Sequence, residues 1–299
     1  MDETLDTVEA GMQRSRVTVE HDPRVLAEAR ARELATRLGP GDVLGRYELL
    51  RELGRGGAAV VHAARDTERH HEIALKIIHA SACASERAAL EREAQALAKI
   101  QHPNVVTVEE VGTTPEGRMF LAMELVEGHN LRAWIEAGPS LAAIRDVFGQ
   151  AGQGLLAVHE AGLVHGDFKP ENVMVEGERV LVLDLGLAQP EPERSAETSA
   201  TGGTRIYMAP ELLWRLSEPS PRSDQFSFCV ALWEALYGER PFERRDLHAG
   251  PPKAPTRGGG RRVPGVLRDA LTRGLALDPE DRFATLEPLL AALARRWAL

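Results

Sequence analysis

Cysteine is scarce in this chain: Cys83 and Cys229 stand far apart among 299 residues. No C-x-x-C spacing occurs, which argues against a structural zinc site, and both thiols sit among small or apolar neighbours, as buried thiols in a reducing compartment do. Basic excess is also missing. Lys and Arg number 36 against 45 Asp and Glu, a net charge of -9. A general nucleic-acid binder would need the opposite balance to neutralise phosphates. Long apolar runs are absent too. The longest, around Phe226 to Tyr237, is too short to span a bilayer and is interrupted by Glu234. The acidic start Met1-Asp2-Glu3-Thr4-Leu5-Asp6 has no apolar core for a secretory signal. A soluble cytoplasmic protein, with no membrane or nucleic-acid partner, is the expectation. Aromatics are only 5% of the chain, yet 43% of residues are hydrophobic and 27% charged, an ordinary globular mix. No repeat of 20–50 residues is visible.

The organisation changes along the chain. Residues 1–44 form an N-terminal extension, polar and without sustained period up to Asp22. Pro23 then suits a first helical turn, with Asp22 as its N-cap. Ala27, Ala31, Leu34 and Leu38 follow at i, i+4, i+7 and i+11, and Gly39-Pro40-Gly41 stops the pattern. The spacing predicts a helix over 23–38, packed on the neighbouring lobe; a docking or regulatory helix is the sharper alternative. Strands are predicted at Tyr47–Leu50, Ala58–Ala64, Glu72–Ile78, Val105–Val111 and Met119–Leu125, with one amphipathic helix at Glu86–Ile100. That is a small lobe over 45–124 with a five-stranded sheet. Helices predominate in a large lobe over 128–299: Leu141–Glu160, Asp224–Gly238, Val266–Leu275 and Leu286–Trp297.

The chemistry concentrates in His165-Gly166-Asp167-Phe168-Lys169-Pro170-Glu171-Asn172, followed twelve residues later by Asp184-Leu185-Gly186. A carboxylate, a lysine, an amide and a second carboxylate in this order suit phosphoryl transfer from a metal-bound nucleotide. Asp167 can orient and deprotonate a hydroxyl. Asn172 and Asp184 can hold magnesium, and Lys169 can stabilise the transferred group.

These motifs resemble the protein kinases, and among them the Ser/Thr type found in bacteria. The resemblance runs from about Arg46 to Ala298 and implies an α+β, two-lobed protein kinase fold over 45–299, using ATP and Mg2+ to phosphorylate Ser or Thr of proteins. Gly54-Arg55-Gly56-Gly57 resembles the family's glycine-rich loop, where glycine lets backbone N–H groups approach phosphate. Ala59 stands where a third glycine is usual. Ile73-Ala74-Leu75-Lys76 resembles the strand motif whose lysine holds the nucleotide phosphates, with Glu93 as its implied partner. Leu53, Val61, Ala74, Met123 and Met174 would line the adenine pocket. Backbone groups of Glu124 and Val126 would meet the adenine edge. Thr204-Arg205-Ile206-Tyr207-Met208-Ala209-Pro210-Glu211 resembles the peptide-binding end of the activation segment, with Thr204 bridging Asp167 and Lys169, and Arg282 pairing with Glu211. Leu97, Val108, His165 and Leu185 match an internal stack anchored by Asp224.

Two departures stand out. Gly166 replaces an arginine that in relatives receives a phosphorylated activation-loop residue, which implies basal activity without that phosphorylation. Residues 243–262 are rich in Gly, Pro and Arg, where relatives carry a docking helix. Ser195, Thr198, Ser199 and Thr201 are candidate autophosphorylation sites in an acidic loop. Two other classes compete: a small-molecule phosphotransferase of the aminoglycoside-kinase kind, which shares His-Gly-Asp, and a nucleotide-binding pseudokinase scaffold.

Overall fold

The computed structural model describes residues 38–56, 59–78, 84–114, 117–184, 206–242 and 263–295. Among these, six strands form one antiparallel sheet in the order β1-β2-β3-β4-β6-β5. They are β1 (Val43–Leu44), β2 (Tyr47–Arg55), β3 (Ala59–Asp66), β4 (His71–Ile78), β5 (Val108–Thr113) and β6 (Met119–Glu124). The two-residue β1 adds an edge to the five strands predicted. β2 runs on to Arg55, so Gly54 lies within the strand and pairs with Val61. His70 makes the β3–β4 turn at φ +58°.

Helix α1 (Ala84–Leu97) starts and stops earlier than its apolar pattern predicts. Beyond Leu97 the chain tightens: Lys99 N–H donates to Ala96 O and Ile100 N–H to Leu97 O, which are i→i+3 bonds. β5 begins at Val108 and not at Val105, because Val105 and Val106 are taken by the large lobe. Val106 N–H donates to Val182 O at 3.0 Å, and Val105 bridges the same residue.

The large lobe holds a second small sheet, β7 (His129–Asn130), β8 (Val173–Glu176) and β9 (Arg179–Val182). Its described helices are α2 (Leu131–Glu136), α3 (Leu141–Glu160), α4 (Pro210–Leu213), α5 (Pro221–Tyr237), α6 (Gly265–Gly274) and α7 (Glu287–Ala294). Ser140 caps α3 by accepting the Ala143 N–H at 3.2 Å. α5 begins one turn before the predicted Asp224, because Ser220 and Ser223 close a capping box and Pro221 suits the first turn. It ends at Gly238, whose φ of +70° makes a left-handed cap. Nearly every α5 side chain is buried, as befits a helix at the centre of a lobe.

The lobes are fastened at Asn104. Its side-chain amide donates to Val180 O at 2.9 Å and to Gln150 Oε1 at 3.1 Å, while its carbonyl accepts Val182 N–H. Gly154 lets α3 approach this carbonyl, which a Cβ there would strike. No helix among the described residues is long and apolar enough to cross a membrane.

Candidate active site

The catalytic-loop sequence is held from beneath by α5. Asp224 accepts two backbone N–H groups, His165 on Oδ2 at 2.8 Å and Gly166 on Oδ1 at 2.9 Å. Gly166 turns the chain at φ +73°, in the left-handed region. His159, in the last turn of α3, also bonds Asp224 Oδ2 through Nε2 at 2.9 Å. Sequence reasoning gave His159 no role; its position next to the last residue of a helix carries no motif of its own. His165 is fully buried, edge-on to Phe168 with ring centroids 5.6 Å apart. Burial pushes its pKa down. Leu97 and Val108 are buried in the same core, as the stack requires.

This support aims three side chains at one place. Lys169 Nζ donates to Asp167 Oδ2 at 2.5 Å. Asn172 Nδ2 donates to the Asp167 carbonyl at 2.8 Å and reaches its Oδ2 at 3.3 Å. A short 3-10 turn, Pro170–Asn172, carries Asn172 inward. Leu183 N–H donates to Asn172 O at 2.8 Å, bringing Asp184 alongside. Asp184 itself has φ +52°, a left-handed conformation uncommon outside glycine. Strain of this kind is concentrated at functional sites.

Lys76 completes the cluster from the other lobe, and here the structure departs from expectation. Its Nζ donates to Asp184 Oδ1 at 2.9 Å, not to Glu93. α1 packs on β5, which the sheet order places two strands away from β4. Glu93 has no ion-pair partner among the described residues and is half-buried. Burial alone raises its pKa. Lys76 is itself buried, so its charge needs a partner, and Asp184 supplies it.

The pocket residues lie where the two lobes meet. Ala74 and Met123 are buried opposite each other on β4 and β6. Val61 and Met174 are half-buried, and Leu53 is exposed. The Glu124 carboxylate is held by Arg179 at 2.8 Å and by the Thr107 N–H at 2.9 Å. Only backbone from this residue can therefore serve a base. Val126 is half-buried just beyond it, and Gly128 passes so close to the Val175 carbonyl that a Cβ would collide. In the glycine-rich turn, Gly54 has open space around it and Gly56 N–H donates to Ala59 O at 2.9 Å. Gly57, Thr204, Leu185, residues 195–201, the 243–262 segment and most of the predicted 23–38 helix lie outside the described residues.

The platform beyond the site is well anchored. Arg282 is fully buried and grips Glu211 with two bonds of 2.7 and 2.8 Å, the pairing expected from sequence. A second network was not foreseen. Arg132 joins Glu171 at 3.1 Å and Glu234 at 3.0 Å, and also donates to the Tyr207 hydroxyl. Tyr207 donates to Glu234 at 2.6 Å. Glu171 and Tyr207 lie in recognisable motifs; Arg132 and Glu234 do not, and the four meet by folding.

The fold has two lobes, and the constellation lies where they meet. The family model for the protein kinase domain matches residues 47–254. The chain is 34% identical over 268 residues to the serine/threonine-protein kinase PknE of Mycobacterium tuberculosis, covering 84% of this chain and 46% of that protein. It is 32% identical over 273 residues to the serine/threonine-protein kinase PknB of the same species, covering 86% and 44%. In structure it resembles the PknI kinase domain of Mycobacterium tuberculosis, with a TM-score of 0.67, 24% identity and 86% of this chain covered against 98% of that one. The chain belongs to the protein kinase domain family. It spans about half the length of the curated relatives it matches.

Proposed function

We propose that this chain transfers the γ-phosphoryl group of ATP to Ser or Thr hydroxyls of proteins. The observation that carries this reading is the convergence of Asp167, Lys169, Asn172, Asp184 and Lys76 across the two lobes. Asp167, on the open side of the loop, takes the proton of the attacking hydroxyl. Lys169, 2.5 Å from it, supplies positive charge where the phosphoryl group passes. Lys76 holds nucleotide phosphate, and Glu93 is the carboxylate that would steady it once α1 moves toward β4.

The donor set fits magnesium. The Asn172 amide nitrogen is engaged by Asp167, so its Oδ1 is turned away as a free oxygen ligand. Asp184 Oδ1 is held by Lys76, leaving Oδ2. Two oxygen donors suit a hard ion that keeps waters and phosphate oxygens in its shell. When bound, magnesium supplies neutralisation of the phosphate oxygens. Gly166 offers no guanidinium to a phosphorylated activation loop, so activity does not depend on that modification. Ser195, Thr198, Ser199, Thr201 and Thr204 are the candidate hydroxyls for autophosphorylation.

The test is transfer of labelled phosphate from ATP with magnesium, comparing wild type with Asp167→Asn. Label on protein Ser or Thr with wild type, reduced about 10²–10⁴-fold in the variant, is expected for loss of a general base. Label on an aminoglycoside instead would overturn the protein-substrate reading. ATP binding with no transfer to any acceptor would overturn the enzyme reading in favour of a scaffold.

A further inference from the structure

The chain crosses from one lobe to the other at residues 125–128, between the end of β6 and the start of β7. One hairpin holds both ends of this crossing. β8 and β9 pair as far as Glu176 opposite Arg179, which leaves Gly177-Glu178 as a two-residue turn with Gly177 at φ +60°. Side chains directly opposite each other in a hairpin share one face, and here both reach the crossing. Arg179 Nη2 donates to both carboxylate oxygens of Glu124, at 2.8 and 3.1 Å. Glu176 accepts the Glu127 N–H at 2.8 Å. The pair is also joined to itself, with Arg179 Nη1 3.6 Å from Glu176 Oε2.

The hairpin has its own anchor in the large lobe. The Gln150 side chain, on α3, donates to Glu178 O at 2.9 Å and accepts the Val180 N–H at 3.2 Å. Glu124 is held from the small lobe as well. Thr107 N–H donates to its carboxylate at 2.9 Å, and the Glu124 N–H donates to Thr107 O at 3.0 Å. The crossing is therefore tied at Glu124 and again at Glu127, and the backbone between them has little freedom.

We propose that Arg179 and Glu176 are positioning residues for the base of the nucleotide. Between the two ties lie the backbone groups of Glu124 and Val126, the ones expected to meet the adenine edge. Hydrogen bonds to a base need a donor–acceptor separation of about 2.7–3.2 Å and good alignment. A backbone already fixed at both ends loses less freedom when it makes them. The ties act on the base end of the site alone. Lys76, at the phosphate end, pairs with Leu121 on β6, and Glu124 stands three residues further along the strand, about 10 Å away. This role rests on the reading of the cleft as a nucleotide site.

The experiment is calorimetric titration of the full chain with ATP and, separately, with inorganic tripolyphosphate, each with magnesium. Tripolyphosphate reaches the phosphate end and has no base. The Arg179 side chain is 44% exposed, so its pair is a surface one, and Arg179→Met should weaken ATP binding by about fivefold, the upper range for such pairs. Tripolyphosphate binding should not change. Glu176→Ala should act in the same direction through Glu127, and it carries the test if Arg179→Met does not fold. Arg179→Lys should recover most of the loss, because one nitrogen makes both contacts to Glu124. Arg145→Met removes the same charge from an exposed pair on α3 and should leave both affinities unchanged.

Unchanged ATP affinity in Arg179→Met and Glu176→Ala overturns the proposal. So does an equal loss for ATP and tripolyphosphate, since the hairpin would then support the fold and not the base. Wild type that binds ATP no more tightly than tripolyphosphate also overturns it, because the crossing would then give the base nothing. The transfer reading fails separately. ATP bound but passed to no acceptor would remove that reading and leave a selective loss of ATP affinity standing.

Discussion

Gly166 offers the sharpest quantitative test of how this site is built. The residue stands between His165 and Asp167 at φ +73°, with its N–H fixed on Asp224 at 2.9 Å. That bond and its neighbour from His165 prevent the loop from relaxing to another backbone conformation. A residue with a Cβ in the left-handed region pays about 1–2 kcal/mol. Asn suffers less, because its short polar side chain tolerates this region. Gly166→Ala should therefore lower the unfolding midpoint by ~2–8 °C, using about 2–4 °C per kcal/mol for a domain of 150–250 residues. Gly166→Asn should fall between alanine and wild type, and Gly166→Arg should match alanine, since its charge adds nothing to the backbone term. Calorimetry of the four proteins reads the order directly. Because the strain lies one residue from Asp167, kcat should fall more than the KM for ATP changes. Equal midpoints for glycine, asparagine and alanine would refute the reasoning, since the loop would then not be held left-handed. The same series tests regulation. Phosphatase treatment should leave wild-type activity intact, and loss of most activity would show that a phosphate receptor exists elsewhere.

Removing one partner of the buried Arg282–Glu211 pair should be severe. Glu211→Gln or Arg282→Met strands a buried charge at a cost of about 3–5 kcal/mol, and the double variant should recover part of this in a thermal denaturation cycle. Lysine at 282 should not rescue, because the arginine also donates to the Ala276, Leu277 and Arg222 carbonyls, which a single ammonium cannot reach together. Glu93 predicts a pH effect. Burial raises its pKa in the folded chain above the ordinary 4.5, so the native state holds more protons than the unfolded state just above that value. Stability from this group is present at low pH and falls as pH rises through the folded value. Glu93→Gln should flatten that slope in urea midpoints measured across the window, and an unchanged slope would refute the assignment.

What was legible in the sequence was local. Helix α3 has its predicted ends, Leu141 and Glu160; in the structure Ser140 caps the first, and the Ala161 N–H closes the second on the Ala157 and His159 carbonyls. The catalytic loop was legible because Asp167, Lys169 and Asn172 lie within six residues and need only a short turn to meet. The structure brings these three together with Asp184. The partner of Lys76 was not legible. Glu93 and Asp184 are both carboxylates within reach of a plausible fold, and the choice depends on where α1 docks, a tertiary matter that no spacing encodes. The Arg132 network failed for the same reason, since its members come from α2, the catalytic loop, the activation segment and α5.

The outer face of the small lobe shows a third kind of gap. The run Ile73-Ala74-Leu75-Lys76-Ile77-Ile78 has the composition of a strand, and it lies in β4. Yet a strand with apolar residues at odd and even positions alike is a demand for two covering layers. Lys76 breaks the run on the inner side, where chemistry needs a charge. On the outer side nothing polar intervenes. The face these outward residues, Ile73, Leu75 and Ile77, share with Leu44, Tyr47, Leu49, Val60, Ala64, Phe120 and Ala122 is assembled from β1, β2, β3, β4 and β6, so its extent is set by the register of the sheet and not by any one run.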